Sequence, residues 1–266
     1  MKLTLLGTGN ALVTKCYNTC FYLEEDGRYL LVDGGGGNQI LAQLSRAGRS
    51  WRDMRHIIVT HKHLDHIMGI VWMLRMILQH MNEGSYEGEA FIYSHDEVIA
   101  LLRELAQMLL RPKETRFIDE RLHFVTVEDG DRIGLIGHDV TFFDIGSTKA
   151  KQFGFCMDLG GGEKLCCCGD EPFSERERAY AQNSKWLMHE AFCLSGQADV
   201  FHPYEKHHST VKDACTLARQ LNVQNLVLYH TEDENLERRR ELYTREGSAY
   251  YGGALFVPDD LDTIDL

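Results

Sequence analysis

The sequence predicts an α/β protein built from two mixed β-sheets packed face to face with helices outside, and three observations carry that expectation. Strand-like segments occur in two successive runs, each followed by helices. Only 4 prolines interrupt 266 residues, and there is neither a Ser/Gly-rich linker nor a repeat of solenoid length, so one continuous domain over 1–266 is expected. With 44% hydrophobic and 26% charged residues the chain can bury a large core, which excludes disorder, collagen and coiled coil.

LTLLG, CFYLEE and YLLVD read as strands, with Asp26-Gly27 turning the second into the third, an antiparallel start. NQILAQLSRAG has helical spacing, and Gly48 stands where a helix ends. RHIIVT is a short apolar strand running straight into HKHLDH. The segment HIMGIVWMLRMILQH is apolar nearly all round, which predicts a helix buried on most sides. FIYSH follows as a strand and EVIALLRELAQMLL as an amphipathic helix. From Arg121 to Cys168 the period shortens to two in LHFVTV, RIGLI, DVTFFDI, FGFCMDL and KLCCCG. The tail alternates helix and strand: SERERAYAQN, KWLMHEAF, TVKDACTLARQL, NLVLYH and NLERRRELYTRE.

Charge narrows the function classes. Forty acidic against 28 basic residues leave −12, so a broad grip on a large nucleic acid is not expected. Eight cysteines, three of them consecutive at 166–168, do not read as a disulfide framework, and Cys16-x3-Cys20 has no second pair at finger-like spacing. The start MKLTLLGTGN shows no export signal, and no stretch approaches a membrane span. A cytoplasmic protein with reduced thiols, buried as small hydrophobes, is expected. Gly7-Thr8-Gly9 and Gly34 to Gly37 lack the spacing of nucleotide-binding loops and predict tight turns instead.

Thirteen histidines point to metal. Thr60-His61-Lys62-His63-Leu64-Asp65-His66 places four potential ligands behind a hydrophobic strand. In an extended segment residues two apart face the same way, so His61 and His63 can converge on one ion. Asp65 and His66, where the chain turns into a helix, can serve a neighbouring position. Nitrogen and oxygen donors of this kind suit zinc, and also manganese or iron.

HKHLDH with Gly69 resembles the HxHxDH signature of the metallo-β-lactamase superfamily, whose members are four-layer αββα sandwiches. Three further positions match that pattern in order, each at a strand end: Asp33 in YLLVDGGGGN, Asp170 in CCCGDEP and His230 in LVLYHT. The resemblance implies a dinuclear centre of two divalent ions, zinc above all, with His61, His63 and Asp170 on one ion and Asp65, His66, Asp170 and His230 on the other. Asp33 would support the centre from behind. LGTG, VDGGGGNQI, His189-Glu190-Ala191, His208-Ser209-Thr210 and PDDLDTIDL are similar to the ribonuclease Z branch, in which a Glu and a His cooperate in proton transfer. Asp65, Glu190 and His208 are therefore the expected catalytic residues, with His189 a weaker candidate beside them, and the resemblance implies a homodimer.

Two departures stand out. The superfamily's third motif carries a histidine where this chain has Ser147 and Thr148, and neither His138 nor Asp144 obviously faces the same point. The long basic arm with which tRNA-processing members grip RNA has no room between Thr148 and Asp170. Phosphate contacts would have to come from Lys149, Lys151, Lys206 or the run Arg238 to Arg240. The expected activity is therefore a metal-dependent hydrolase of a small or locally held phosphodiester. The alternatives are a hydrolase of small esters, lactones or thioesters, and a degenerate metal-binding regulatory protein.

Overall fold

The computed structural model describes residues 1–266. Strands form at every segment read as one, with two short ones added at the end: β1 (Lys2–Gly7), β2 (Cys20–Glu25), β3 (Arg28–Val32), β4 (His56–Ile58), β5 (Ala90–Ser94), β6 (Leu122–Thr126), β7 (Arg132–Leu135), β8 (His138–Asp144), β9 (Phe153–Gly160), β10 (Glu163–Cys167), β11 (Trp186–Glu190), β12 (Asn225–Tyr229), β13 (Ala254–Phe256) and β14 (Thr263–Asp265). The helices are α1 (Gln39–Arg46), α2 (Leu64–Glu83), α3 (Asp96–Leu109), α4 (Pro112–Thr115), α5 (Arg178–Ala181), α6 (Ala198–Phe201), α7 (Val211–Gln220) and α8 (Arg239–Gly247).

Two seven-stranded sheets result, ordered β14-β1-β2-β3-β4-β5-β6 and β13-β12-β11-β10-β9-β8-β7. Each is antiparallel on one side and parallel on the other. Pairing changes to parallel at β3–β4 in the first sheet and at β10–β11 in the second. Parallel neighbours need crossover connections, and helices supply them on the outer faces. The layers are thus helix, sheet, sheet, helix, as expected. Between the sheets lie Leu5, Phe21, Leu23, Phe155, Met157 and Met188. On the outer side of the first sheet Leu31, Ile57 and Ile92 meet Ile70, Met73 and Ile77 of α2. Outside the second, Cys166, Leu187 and Leu228 meet Ala214 and Ala218 of α7. All eight cysteines are free thiols, seven of them buried, which suits small hydrophobes.

The differences from expectation are local. SERERAYAQN makes a 3-10 turn at Glu175–Glu177 and one turn of α5 rather than a full helix. Ser174 and Glu177 form a capping box, but only Ala181 of α5 is buried, so no apolar stripe extends it. α2 starts at Leu64 and runs to Glu83, where Gly84 adopts φ 73° and ends it. β13 and β14 are three residues each, too short for a period to show. No helix is long and apolar enough to cross a membrane.

One close approach fixes the site. A Cβ added to Gly69 would stand 1.8 Å from the carbonyl oxygen of Gly34, so α2 rests backbone to backbone on the glycine turn after β3. Gly34 N–H donates to the carbonyl of His66 at 2.9 Å, and Gly69 N–H to that of Gly35 at 2.9 Å. The glycine run is the tight turn that its spacing predicts.

Candidate metal centre

The centre is assembled where parallel strands of both sheets end, the place open α/β sheets reserve for ligands. Past β4 the chain stays extended through His63, which precedes α2 with φ −64° and ψ 148°. His61 and His63 therefore project together, with Nε2 of the first 2.8 Å from Nδ1 of the second. Asp65 and His66 occupy the first turn of α2. Asp170 follows β10 across Gly169, and His230 follows β12. His230 and Asp33 both take left-handed backbone, φ 57° and 58°, a conformation unfavourable for side-chain-bearing residues that persists where surrounding structure imposes it.

One atom holds the two halves together. Asp170 Oδ2 lies 3.3 Å from His66 Nε2, 3.3 Å from His230 Nε2 and 3.6 Å from His61 Nε2. Asp65 Oδ2 lies 3.4 Å from the Nε2 of both His66 and His230. Two donors about 2.0–2.1 Å from a tetrahedral zinc stand roughly 3.3–3.4 Å apart, so these separations fit donors that could share an ion. The donor atoms of His61, His63 and Asp170 converge within 4.8 Å, as do those of Asp65, His66 and His230. Five of these six side chains are buried, and His66 Nε2 has no hydrogen-bond partner.

The charges tell the same story. Burial opposes ionisation of Asp170 and Asp65, yet the surrounding imidazoles hold both carboxyls well below the usual range. Burial likewise opposes charge on His66, but Asp65, Asp33 and Asp170 raise its pKa well above the ordinary histidine value. Three buried carboxylates thus surround the ring of His66. His61, pushed well down by burial, keeps a neutral ring with a lone pair to give. Behind the ligands, Asp33 Oδ2 accepts from His66 Nδ1 at 2.7 Å and from Thr60 Oγ1 at 2.7 Å.

At the third-motif position Ser147 Oγ donates to Glu171 Oε1 at 2.8 Å, and Thr148 is exposed, so neither reaches the ligands. His138 and Asp144 sit elsewhere on β8, the first against the carbonyl of Asp158, the second against Gly146 N–H. Instead Gln152, buried at the head of β9, donates from Nε2 to Asp170 Oδ1 at 2.5 Å while its Oε1 is buried without a partner. Sequence reasoning missed Gln152. A polar residue opening an otherwise apolar strand was the available signal.

Glu190 and His208 also meet. His208 Nδ1 stands 3.7 Å from Glu190 Oε2, neither atom having another partner, while Glu190 Oε1 accepts from Ser209 N–H. His208 lies 5.1 Å from His230, ring centre to ring centre, and stacks on Phe192 at 4.8 Å, a neighbour the sequence did not reveal. Burial pushes Glu190 well above the usual carboxylate value and His208 down to about 3. His189 points to the opposite face of β11 from Glu190, away from the ligands. Of the expected cations, Lys151 pairs with Asp96, and Arg239 and Arg240 with Asp259. Lys149 reaches the carbonyl of Lys206 at 2.5 Å, in the loop leading to His208.

The chain's likenesses agree with this fold. Ribonuclease Z of Natronomonas pharaonis is 24% identical over 314 aligned positions, covering 100% of this chain and 98% of that protein. The metallo-β-lactamase fold protein YhfI from Bacillus subtilis superposes with a TM-score of 0.76 at 16% identity over 99% of each chain. The short form of human tRNase Z gives 0.72 at 19% identity over 100% and 99%. The fold is that of the metallo-β-lactamases, and between Thr148 and Asp170 only β9, a glycine turn and β10 occur, with no inserted arm. The family model described as Anti-Pycsar protein Apyc1 matches residues 1–248, and the chain belongs to that family.

Proposed function

We propose that this protein is a metal-dependent phosphodiesterase with two divalent ions, zinc above all, acting on a small or locally held phosphodiester. The observation that carries the reading is Asp170 Oδ2, placed within 3.3–3.6 Å of three histidines drawn from both ligand groups. His61, His63 and Asp170 would hold one ion, and Asp65, His66, Asp170 and His230 the other. Bound there, the ions supply Lewis acidity and bring the pKa of water down to about 7. Asp65, kept ionised by His66 and His230, orients the attacking water. Glu190 stores a proton that burial keeps on its carboxyl, and His208 passes one to the leaving oxygen. As its Nε2–H is given up, Nδ1 takes the proton of Glu190, whose Oε2 faces it at 3.7 Å.

Similarity to ribonuclease Z supports phosphodiester chemistry, and the family's description supports reading it as directed against Pycsar. The −12 charge and the paired arginines favour a small substrate over an extended nucleic acid. The reading further takes the 266 residues as one domain, cytoplasmic with free thiols, and dimeric as the resemblance implies.

The test is metal content per chain after purification without chelator, followed by turnover of bis(4-nitrophenyl) phosphate against a panel of 4-nitrophenyl esters. Two ions and phosphodiester turnover are expected. A chain that takes up no metal on reconstitution, or one that cleaves only the esters, refutes the reading.

A further inference from the structure

A second cavity backs onto the centre through His208. It measures about 330 Å³ and lies between the loop after Asp170 and helix α7, walled by Phe173, Arg178 and Tyr204 and floored by His189 and His208. That size falls within the roughly 300–1,000 Å³ of small-molecule clefts. It opens at the carboxyl ends of the parallel pair β10 and β11, on the outer face of the sheet, where Leu187 also points. His208 is shared: one side lines this cleft, and its ring centre is 5.1 Å from that of His230.

His189 gives the cleft a definite polarity. Its Nδ1 lies 2.7 Å from the carbonyl oxygen of Glu190. A carbonyl only accepts, so Nδ1 carries the hydrogen. Burial lowers the pKa of the ring, which is therefore neutral and leaves a lone pair on Nε2. That nitrogen is buried, on a residue 1% exposed, and has no partner. The neighbouring charges are already used: Asp213 accepts from Thr210 and Tyr204, and Arg178 pairs with Glu175. The cleft thus offers an acceptor between aromatic walls and no free cation for a second phosphate.

Resting on the phosphodiesterase reading, we propose that this cleft is a substrate subsite in which His189 Nε2 accepts a hydrogen bond from a neutral, amino- or hydroxyl-bearing part of the substrate whose phosphodiester sits at the metal centre. His189 is then a specificity residue for the group attached to phosphate, and His208 stands between recognition and reaction.

The experiment compares two substrates on the metal-loaded enzyme: thymidine 5′-(4-nitrophenyl) phosphate, which carries donors, and bis(4-nitrophenyl) phosphate, which carries none. His189→Phe keeps a planar ring but removes the acceptor, and should raise KM for the thymidine ester about tenfold, with kcat and the constants for bis(4-nitrophenyl) phosphate unchanged. His189→Gln retains an acceptor and should recover most of that loss. Should His189→Phe fail to fold, Tyr204→Ala, at an exposed wall, is expected to show the same one-sided rise. Equal effects on both substrates, or none on either, overturn the subsite while leaving the phosphodiesterase reading intact. A loaded wild type inactive on both substrates overturns the reading and the subsite with it.

Discussion

His66 presents Nε2 to the centre because its Nδ1 donates to Asp33 Oδ2 at 2.7 Å. The same carboxylate accepts from Thr60 N–H at 2.8 Å and Thr60 Oγ1 at 2.7 Å, tying the ends of β3 and β4 to the first turn of α2. It touches none of the substrate-facing atoms, yet it fixes the ring's tautomer and direction. Asp33→Ala should weaken metal binding by about 10–100-fold, as loss of such a support does elsewhere. Competition with a chelator of known affinity measures this, and unchanged affinity would show that the helix alone aims the ring.

Asp170 is the residue on which both ligand groups depend. Ions that bind the native state stabilise it by mass action, so the loaded protein should melt above the chelated one. Asp170→Ala removes the oxygen that faces His61, His66 and His230, and the melting temperature should then cease to respond to zinc. Phosphodiesterase activity should disappear with it. A variant that still gains stability on loading would place the main binding energy elsewhere.

His208 and Glu190 should separate from the ligands by their phenotype. Neither belongs to a donor triad, and their facing atoms are 3.7 Å apart. His208→Ala is expected to slow turnover by about 10²–10⁴-fold, the range for a lost general acid, while two ions per chain remain. Glu190→Gln should slow it too, since the amide still accepts from Ser209 N–H but cannot supply a carboxyl proton. Loss of metal in either variant assigns them to the centre's framework instead of proton transfer.

Much of this was legible because the ligands fall at strand ends. His61 and His63 follow from the period of an extended chain, and Asp33, Asp170 and His230 from the resemblance, each at a strand end. The sheets were equally open to view, since their strands are short apolar runs with Gly and Asp at the breaks. Gln152 was hidden because its role depends on the antiparallel fold-back of β9 onto β10, which brings it to Asp170 from 18 positions away. Glu190 ranked above His189 by resemblance alone, and it is the pleat that sends one to His208 and the other to the cleft. The single turn of α5 was overestimated because charged residues with helical propensity do not make a helix without a buried stripe.

Gly69 tests how the backbone sets the site. A methyl group there would collide with Gly34 at 1.8 Å, and α2 would have to lift away from the turn beneath it. Such overpacking costs about 1–3 kcal/mol, and the displaced first turn carries Asp65 and His66. Gly69→Ala should therefore lower both stability and metal affinity. Gly37→Ala, in the same turn but with nothing within 4 Å of the added carbon, should affect neither. Paired denaturation and metal titrations distinguish local collision from a general intolerance of the glycine run.

Glu177 should set the pH dependence of stability on the far side of the second sheet. Its carboxyl is fully buried beside Cys168, with Glu171 the nearest like charge. Oε1 accepts from Ser174 N–H at 2.7 Å and Oε2 has no partner. Burial pushes its pKa up to about 8 from an ordinary 4.5. The folded state therefore binds this proton more tightly than the unfolded one. The stability that results is complete below the ordinary value and drains away as pH rises through the folded value. At about 1.4 kcal/mol per pH unit the loss comes to a few kcal/mol. Glu177→Gln keeps the neutral form and the acceptor for Ser174 at every pH. Urea midpoints for the two proteins should then coincide near pH 4, diverge in favour of the variant up to about pH 8, and run parallel above it. Curves that stay parallel throughout would mean that water reaches the carboxylate and that its burial has no thermodynamic consequence.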